Sequence, residues 1–340
     1  MDNLLEKIIT NKKAEEIGKL NAIKIVNSLF DDLLDRERDV LTRRFGLHGQ
    51  EAETLEKIGS LHKLTRERVR QIEATSLRKL KKLENLEDSI SVIKKAVGQL
   101  LEENGGLMER NYLLDILAMF CIDDKAAPAE RELYKRHFDF IISKLLEDDV
   151  EKVEKSDYFD AFYKSKDRTV SHLEEVVSEL ADKVEKSKTT MPIDELLEVA
   201  KNLNSYNKHQ DKLNPESDSD LTSIFKSQIF PEKGETINAN KVLYSLIQAA
   251  KNIDRNKFGN WGLNEWPEIN PKKISDKIYL VLKENGQPMH FTEIADRINE
   301  VGFDHKKANA GTVHNELILD NRYVLTDRGR YGLKDWQKTA

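Results

Sequence analysis

The run Thr65-Arg66-Glu67-Arg68-Val69-Arg70-Gln71-Ile72-Glu73 carries side chains that can read nucleobases. Arg and Gln present paired donors and acceptors that match guanine and adenine edges in the major groove, and Glu accepts from cytosine. Arg66, Glu67, Arg70 and Gln71 fall at i, i+1, i+4 and i+5, so on a helix they share one face near its N-terminus. Val69, Ile72 and Leu80 turn the other way, toward a core. Upstream, Thr54-Leu55-Glu56-Lys57-Ile58-Gly59 reads as a short helix followed by a tight break. That order is a helix-turn-helix, which sets the leading turns of its second helix against the bases.

Local charge agrees. From Leu61 to Leu83 the basic residues are Lys63, Arg66, Arg68, Arg70, Arg78, Lys79, Lys81 and Lys82, against only Glu67 and Glu73. The whole chain is mildly acidic, with a net charge of -6. A basic segment in an acidic chain focuses contact with a polyanion. A solvated basic helix face would account for the charges too, but not for the short helix and break before them.

Residues 25–83 resemble region 4 of sigma-70 family factors, the part that reads the promoter −35 element. The matching residues are Leu33-Leu34-Asp35-Arg36-Glu37-Arg38-Asp39-Val40-Leu41, Arg43-Arg44-Phe45-Gly46-Leu47, Thr54 to Gly59, Thr65 to Glu73 and Leu77-Arg78-Lys79-Leu80. The resemblance implies base contacts from Arg66, Glu67 and Gln71. It implies phosphate contacts from Thr65, Arg68, Arg70, Arg78 and Lys79, with the helix N-terminus at Thr54 and Leu55 docked on the DNA backbone. It also implies that the first helices of the segment face the flap of the RNA polymerase β subunit. Two positions depart from the family. His62 stands where an apolar residue is usual, and Lys63 stands where Gly, Asn or Asp usually takes the turn; a positive φ is costly for Lys. Phe30 is the sole aromatic in the short stretch that opens the chain. Capture of unstacked −10 bases needs an aromatic-rich domain, so the expectation is a protein that cannot melt a promoter unaided.

Composition bounds the rest. With 340 residues and 39% hydrophobic content there is room for several domains, each with its own core. The 34% charged fraction fits a soluble, helix-rich chain. Cys121, the only cysteine, excludes an intramolecular disulfide and a cysteine-based zinc site, and its apolar neighbours suggest burial. Neither a signal peptide nor a membrane-spanning stretch is evident, so the expected location is cytoplasmic, with no membrane partner.

Downstream the chain repeats itself. Gly259-Asn260-Trp261-Gly262-Leu263-Asn264-Glu265-Trp266 and Gly329-Arg330-Tyr331-Gly332-Leu333-Lys334-Asp335-Trp336 are nearly one phrase, and Met191-Pro192-Ile193-Asp194-Glu195-Leu196-Leu197 parallels Met289 to Ala295. Such repetition marks one supersecondary unit used more than once. The unit reads as a winged helix. In its last copy a helix from Ile274 stops at Asn285-Gly286, and Thr292 caps a second helix that Gly302 ends. A third helix spans Thr312 to Asp320, and Tyr323-Val324-Leu325 pairs with Arg330 to Leu333 as a two-stranded wing. Gly262 and Gly332 would let the backbone approach a helix closely while Trp261 and Tyr331 pack as core.

This last copy resembles the HARE-type winged helix of the polymerase δ subunit, through Met289 to Ile298 and Gly329 to Leu333. Lys306, Lys307, Arg322, Arg328 and Arg330 would give it a phosphate-binding rim, or simply a solvated basic wing. A weaker copy at 88–166 carries Glu147, Asp148, Asp149, Glu151 and Glu154, which repel phosphates and suit a protein contact or a spacer. The expected fold is mainly α: an N-terminal helix at 1–24, a helix-turn-helix at 25–86, and winged-helix units with short β-hairpin wings. Those units would occupy 87–166, 167–268 with a loose polar insertion at 202–219, and 271–336.

Catalytic readings find little. His48, His62, His137, His172, His209, His290, His305 and His314 show no metal-ligand spacing. Neither a phosphate loop nor a nucleophile elbow occurs, and Glu-x-Lys is absent. The sequence therefore points to a non-enzymatic, sequence-specific transcription regulator without cofactor or small-molecule ligand, acting at initiation. Its partners would be double-stranded DNA bearing a −35-like element and RNA polymerase through its β flap. A true sigma factor, or a polymerase adaptor without DNA readout, stands as the alternative.

Overall fold

The computed structural model describes residues 4–5, 20–213 and 219–338. Of the helix expected at 1–24 only residues 4–5 and 20–24 are described, and 22–24 belong to the helix Ala22–Phe30. The chain is mainly α-helical with small antiparallel sheets. It forms two compact units, one of residues 1–177 with 200–250, the other of 178–199 with 251–340. No helix among the described residues is long and apolar enough to cross a membrane.

In the first unit, helices α1 (Ala22–Phe30), α2 (Asp35–Phe45), α3 (Leu55–His62) and α4 (Arg66–Lys81) build the helix-turn-helix. Thr54 caps α3 by accepting from the Lys57 N–H at 3.2 Å, and Thr65 caps α4 by accepting from Arg68 N–H at 3.2 Å. Val40, Ile58 and Val69, one from each of α2, α3 and α4, meet in a fully buried cluster that Leu55, Leu64 and Ile72 enclose. Between α3 and α4, Lys63 does adopt the left-handed conformation, with φ 56° and ψ 42°. The break is tight because Leu64 N–H donates to Gly59 O at 2.8 Å. A Cβ on Gly59 would sit 2.7 Å from Leu64 O.

After α4 come α5 (Leu86–Glu103), β1 (Leu107–Glu109), α6 (Arg110–Cys121) and α7 (Pro128–Phe140), which continues as a π-helical turn, Ile141–Leu145. The strands β2 (Val150–Val153) and β3 (Phe162–Ser165) follow, and the sheet order is β1-β3-β2. The same element order recurs at the C-terminus. There the helices Ile274–Asn285, Phe291–Val301 and Ala310–Leu319 accompany a sheet in which Met289–His290 pairs with Arg330–Leu333, which pairs with Tyr323–Asp327. A reduced version lies between, where Met191 bridges Trp261 and Trp261–Leu263 pairs with Ile253–Arg255. The full topology thus occurs twice and once in reduced form, and the copy weakest in sequence has a full set of elements.

Some local expectations are corrected. His290, not Thr292, caps the helix Phe291–Val301, with Glu293 reaching back to His290 N–H at 3.0 Å. Trp261 and Tyr331 are buried as expected. Gly262 and Gly332 make room for an indole rather than a helix: a Cβ would lie 2.8 Å from Trp266 and 3.1 Å from Trp336. The insertion at 202–219 is not simply loose, since it holds the short helices Asn204–Lys208 and Gln210–Leu213; residues 214–218 lie outside the described ones. Residues 200–250 pack in the first unit, so the stretch read as one domain at 167–268 is shared between the two. The reason is physical. Lys241 pairs with the fully buried Glu103 at 3.1 Å, and Ser245 Oγ donates to Leu107 O at 2.8 Å. A buried charge left without its partner is costly, which ties Lys241–Ala249 to α5 and β1.

Gly59→Ala tests the tight turn. Ala ordinarily gains about 1 kcal/mol over Gly inside a helix. Here the added Cβ meets a backbone oxygen that cannot swing away, so urea unfolding is expected to show a net loss of about 1–3 kcal/mol. A stabilised variant would mean the turn is looser than described.

Candidate nucleic-acid interface

The leading turns of α4 are solvent-facing. Arg66, Glu67, Arg68, Arg70, Gln71 and Arg78 are exposed, while Val69 and Leu80 are buried and Ile72 is half-buried. The Thr65 cap and the three-helix cluster set this direction, since turning Val69 inward turns Arg66 and Arg70 outward.

The polar side chains are held in pairs. Arg70 makes a bidentate bond to Glu67 at 2.7 and 2.8 Å, Arg68 donates to Gln71 Oε1 at 3.1 Å, and Arg66 pairs with Glu56 of α3 at 3.1 Å. The hydrogen bond from Arg70 holds the Glu67 carboxyl below its ordinary value. Exposed pairs of this kind are worth little and give way readily to a stronger anion. They keep long side chains in an ordered array rather than blocking it. Lys79 is bonded to Glu37 of α2 at 2.6 Å, whereas Arg78 has no ion pair among the described residues. At the start of α3, Thr54 is exposed and Leu55 half-buried, with a helix N-terminus facing out, a geometry that favours a phosphate.

Sequence reading missed the groups that brace α3 against α2. Asp39 accepts both Arg43 Nε bonds, at 2.8 and 3.0 Å, and lies 2.7 Å from His62 Nε2. Burial pushes the Asp39 carboxyl up, but the bonds to Arg43 and His62 outweigh it and hold the group below its ordinary value. His62, the departure from the family's apolar residue, is thus satisfied by a local carboxylate. Glu53, nearly buried, lies 3.1 Å from Lys57 and 3.6 Å from Arg43. Asp39 and His62 lie 23 residues apart, and a pairing of that span leaves no periodic signal in sequence.

The other expected charges are placed differently. In the C-terminal unit Arg322 is held by Asp320 at 2.7 Å and by Asp276 at 3.2 Å, while Arg330 reaches toward Glu293 at 3.4 Å. Lys306, Lys307 and Arg328 are exposed. The helix Ala310–Leu319 contains no Lys or Arg, and Ile318 and Leu319 on it are exposed. The acidic residues of the 147–154 stretch are matched within their own unit: Glu147 by Lys81, Asp149 by Lys94 at 2.9 Å and Glu151 by Lys164 at 2.6 Å. Burial pushes the Cys121 thiol up to about 12, as suits an inert packed residue. Among the described residues no cluster of His, Cys, Asp or Glu could hold a metal ion.

Residues 29–82 match the family described as "Sigma-70, region 4". Over 67 residues, 20% of this chain, the protein is 52% identical to RNA polymerase sigma factor SigA of Nostoc sp. and covers 17% of it. Over the same span it is 46% identical to RNA polymerase sigma factor SigA of Microcystis aeruginosa, covering 16% of that protein. The chain thus spans only a small part of the curated relatives it matches. No solved structure matches it. The matched segment supports a DNA-binding, RNA polymerase-related role in transcription for this part of the molecule.

The Asp39 brace gives a pH prediction. A carboxyl held low in the folded state adds stability that is full above its unfolded value of about 3.9 and is lost as pH falls through the folded one. Asp39→Asn is therefore expected to lower the melting temperature at pH 7, with the gap to the parent closing as the pH falls below 4. An equal gap at both ends would show that the carboxylate charge is not what braces α3.

Proposed function

We propose that this protein is a sequence-specific DNA-binding transcription regulator that acts at initiation, with α4 in the major groove of a −35-like duplex. The carrying observation is that Arg66, Glu67 and Gln71 lie exposed on the leading turns of a capped helix, in the segment that matches region 4. In this reading those three contact bases. Thr65, Arg68, Arg70, Arg78 and Lys79 contact phosphates, joined by the α3 N-terminus at Thr54 and Leu55. RNA polymerase is the second partner, with α1 and α2 toward its β flap. Residues 271–336 are read as a HARE-type winged helix. Its third helix lacks cations and exposes Ile318 and Leu319, which favours protein contact over duplex readout there. Lys306, Lys307, Arg322, Arg328 and Arg330 are at most a minor rim.

Arg66→Ala and Gln71→Ala are each expected to cost about 1–3 kcal/mol on the preferred duplex and to flatten base preference. Arg78→Ala should weaken preferred and random duplexes alike and reduce the salt slope by about one. Selection of bound sequences from a random pool, followed by titration of each variant, checks both. Equal losses on specific and random DNA for all three variants would refute base reading by α4.

A further inference from the structure

The side of the helix-turn-helix away from the base-reading residues is not open. Helix α7 and its π-helical turn cover it. Phe140, buried, lies edge-on to Phe30 of α1, with ring centroids 5.7 Å apart, and tilted against Phe45 of α2 at 5.0 Å. Lys144 sits 5.7 Å above the Phe45 ring. Arg136 donates to Gly46 O at 3.3 Å and also to Gln50 O, which ties α7 to the loop after α2. Asn21, which caps α1, donates to the Tyr134 hydroxyl at 3.1 Å. Arg66, Glu67 and Gln71 take no part in these contacts and stay exposed.

The cover shows what the face accepts: an amphipathic helix that sets an aromatic ring between Phe30 and Phe45 and brings a cation to the carbonyls that follow α2. We propose that this face is a docking surface for a polymerase helix of that chemistry, and that α7 with its π turn is the resident occupant that excludes it. The proposal rests on the reading that α1 and α2 meet the β flap. Its consequence is a division of labour. The closed chain reads duplex DNA without holding polymerase, and holding polymerase requires α7 to leave. Two features suit a removable cover. The run ends in a π-helical turn, a rare geometry that frequently accompanies functional sites. The polar ties of Arg136 and Lys144 are only partly buried, so water can replace them.

The test uses the full chain, a duplex carrying the selected sequence and the isolated β-flap domain of RNA polymerase. Phe140→Ala and Arg136→Ala loosen the cover from its apolar and its polar side. Each is expected to bind the flap more tightly than the parent, by about tenfold or more for Phe140→Ala, because apparent affinity scales with the open fraction. Duplex affinity should be unchanged in both. In the parent, saturating flap should raise deuterium exchange across residues 128–145. If the parent binds the flap as tightly as both variants, without added exchange there, the cover is no obstacle and the proposal falls while the flap reading stands. If none of the three binds the flap although all bind duplex, the flap reading itself fails and takes the proposal with it. Should Phe140→Ala lose helicity and duplex binding together, Arg136→Ala and the exchange measurement decide the matter.

Discussion

The contact among Val40, Ile58 and Val69 is what the exposed face of α4 depends on. Each comes from a different helix and each is fully buried. Together they set the angle between α3 and α4 and the rotation of α4 about its own axis. Rotating α4 by about half a turn about its own axis would carry Val69 outward and Arg66 and Arg70 inward, stranding two guanidinium groups in an apolar core. The apolar cluster therefore selects the orientation, and the polar pairs on the surface only hold the side chains in order. Cα geometry at Gly59 and the strained Lys63 then follow from the short distance available between the two helices.

The braces around this cluster are electrostatic and local to it. Asp39 joins α2 to α3 through His62, Glu37 joins α2 to α4 through Lys79, and Arg44 meets Glu73 at 3.4 Å. These bonds keep the module stiff without occupying Arg66, Glu67 or Gln71 on the other side. Binding that needs only exposed pairs to rearrange pays little reorganisation, which suits a surface already shaped for its target. The second face of the module is handled in the opposite way, being packed by aromatic rings from α7.

Much of this could be read from residue order. The 3.6-residue spacing of Val69, Ile72 and Leu80, the threonines at 54 and 65, and the Asn285-Gly286 stop each act through backbone physics within a few residues, so they are visible in one dimension. The repeated Gly-x-x-x-Trp phrase was visible as well, but not its meaning, because the indole folds back on the strand only once the hairpin exists. His62 departs from the apolar residue usual at its place, and only the fold brings Asp39 beside it. The buried Glu103–Lys241 pair and the Phe140 cover join residues about a hundred positions or more apart, and no local pattern announces a pairing of that span. The acidic stretch near 150 reads in sequence as a protein contact or a spacer for the same reason, since its lysine partners lie on other elements.

The most direct measurement is fluorescence anisotropy of the intact protein on a −35-like duplex and on a scrambled one, each at two salt concentrations. Tighter binding to the matched duplex is expected, with affinity falling on both duplexes as salt rises, because phosphate contacts release counterions. No binding to either duplex at low ionic strength, or the same affinity for both, would contradict it.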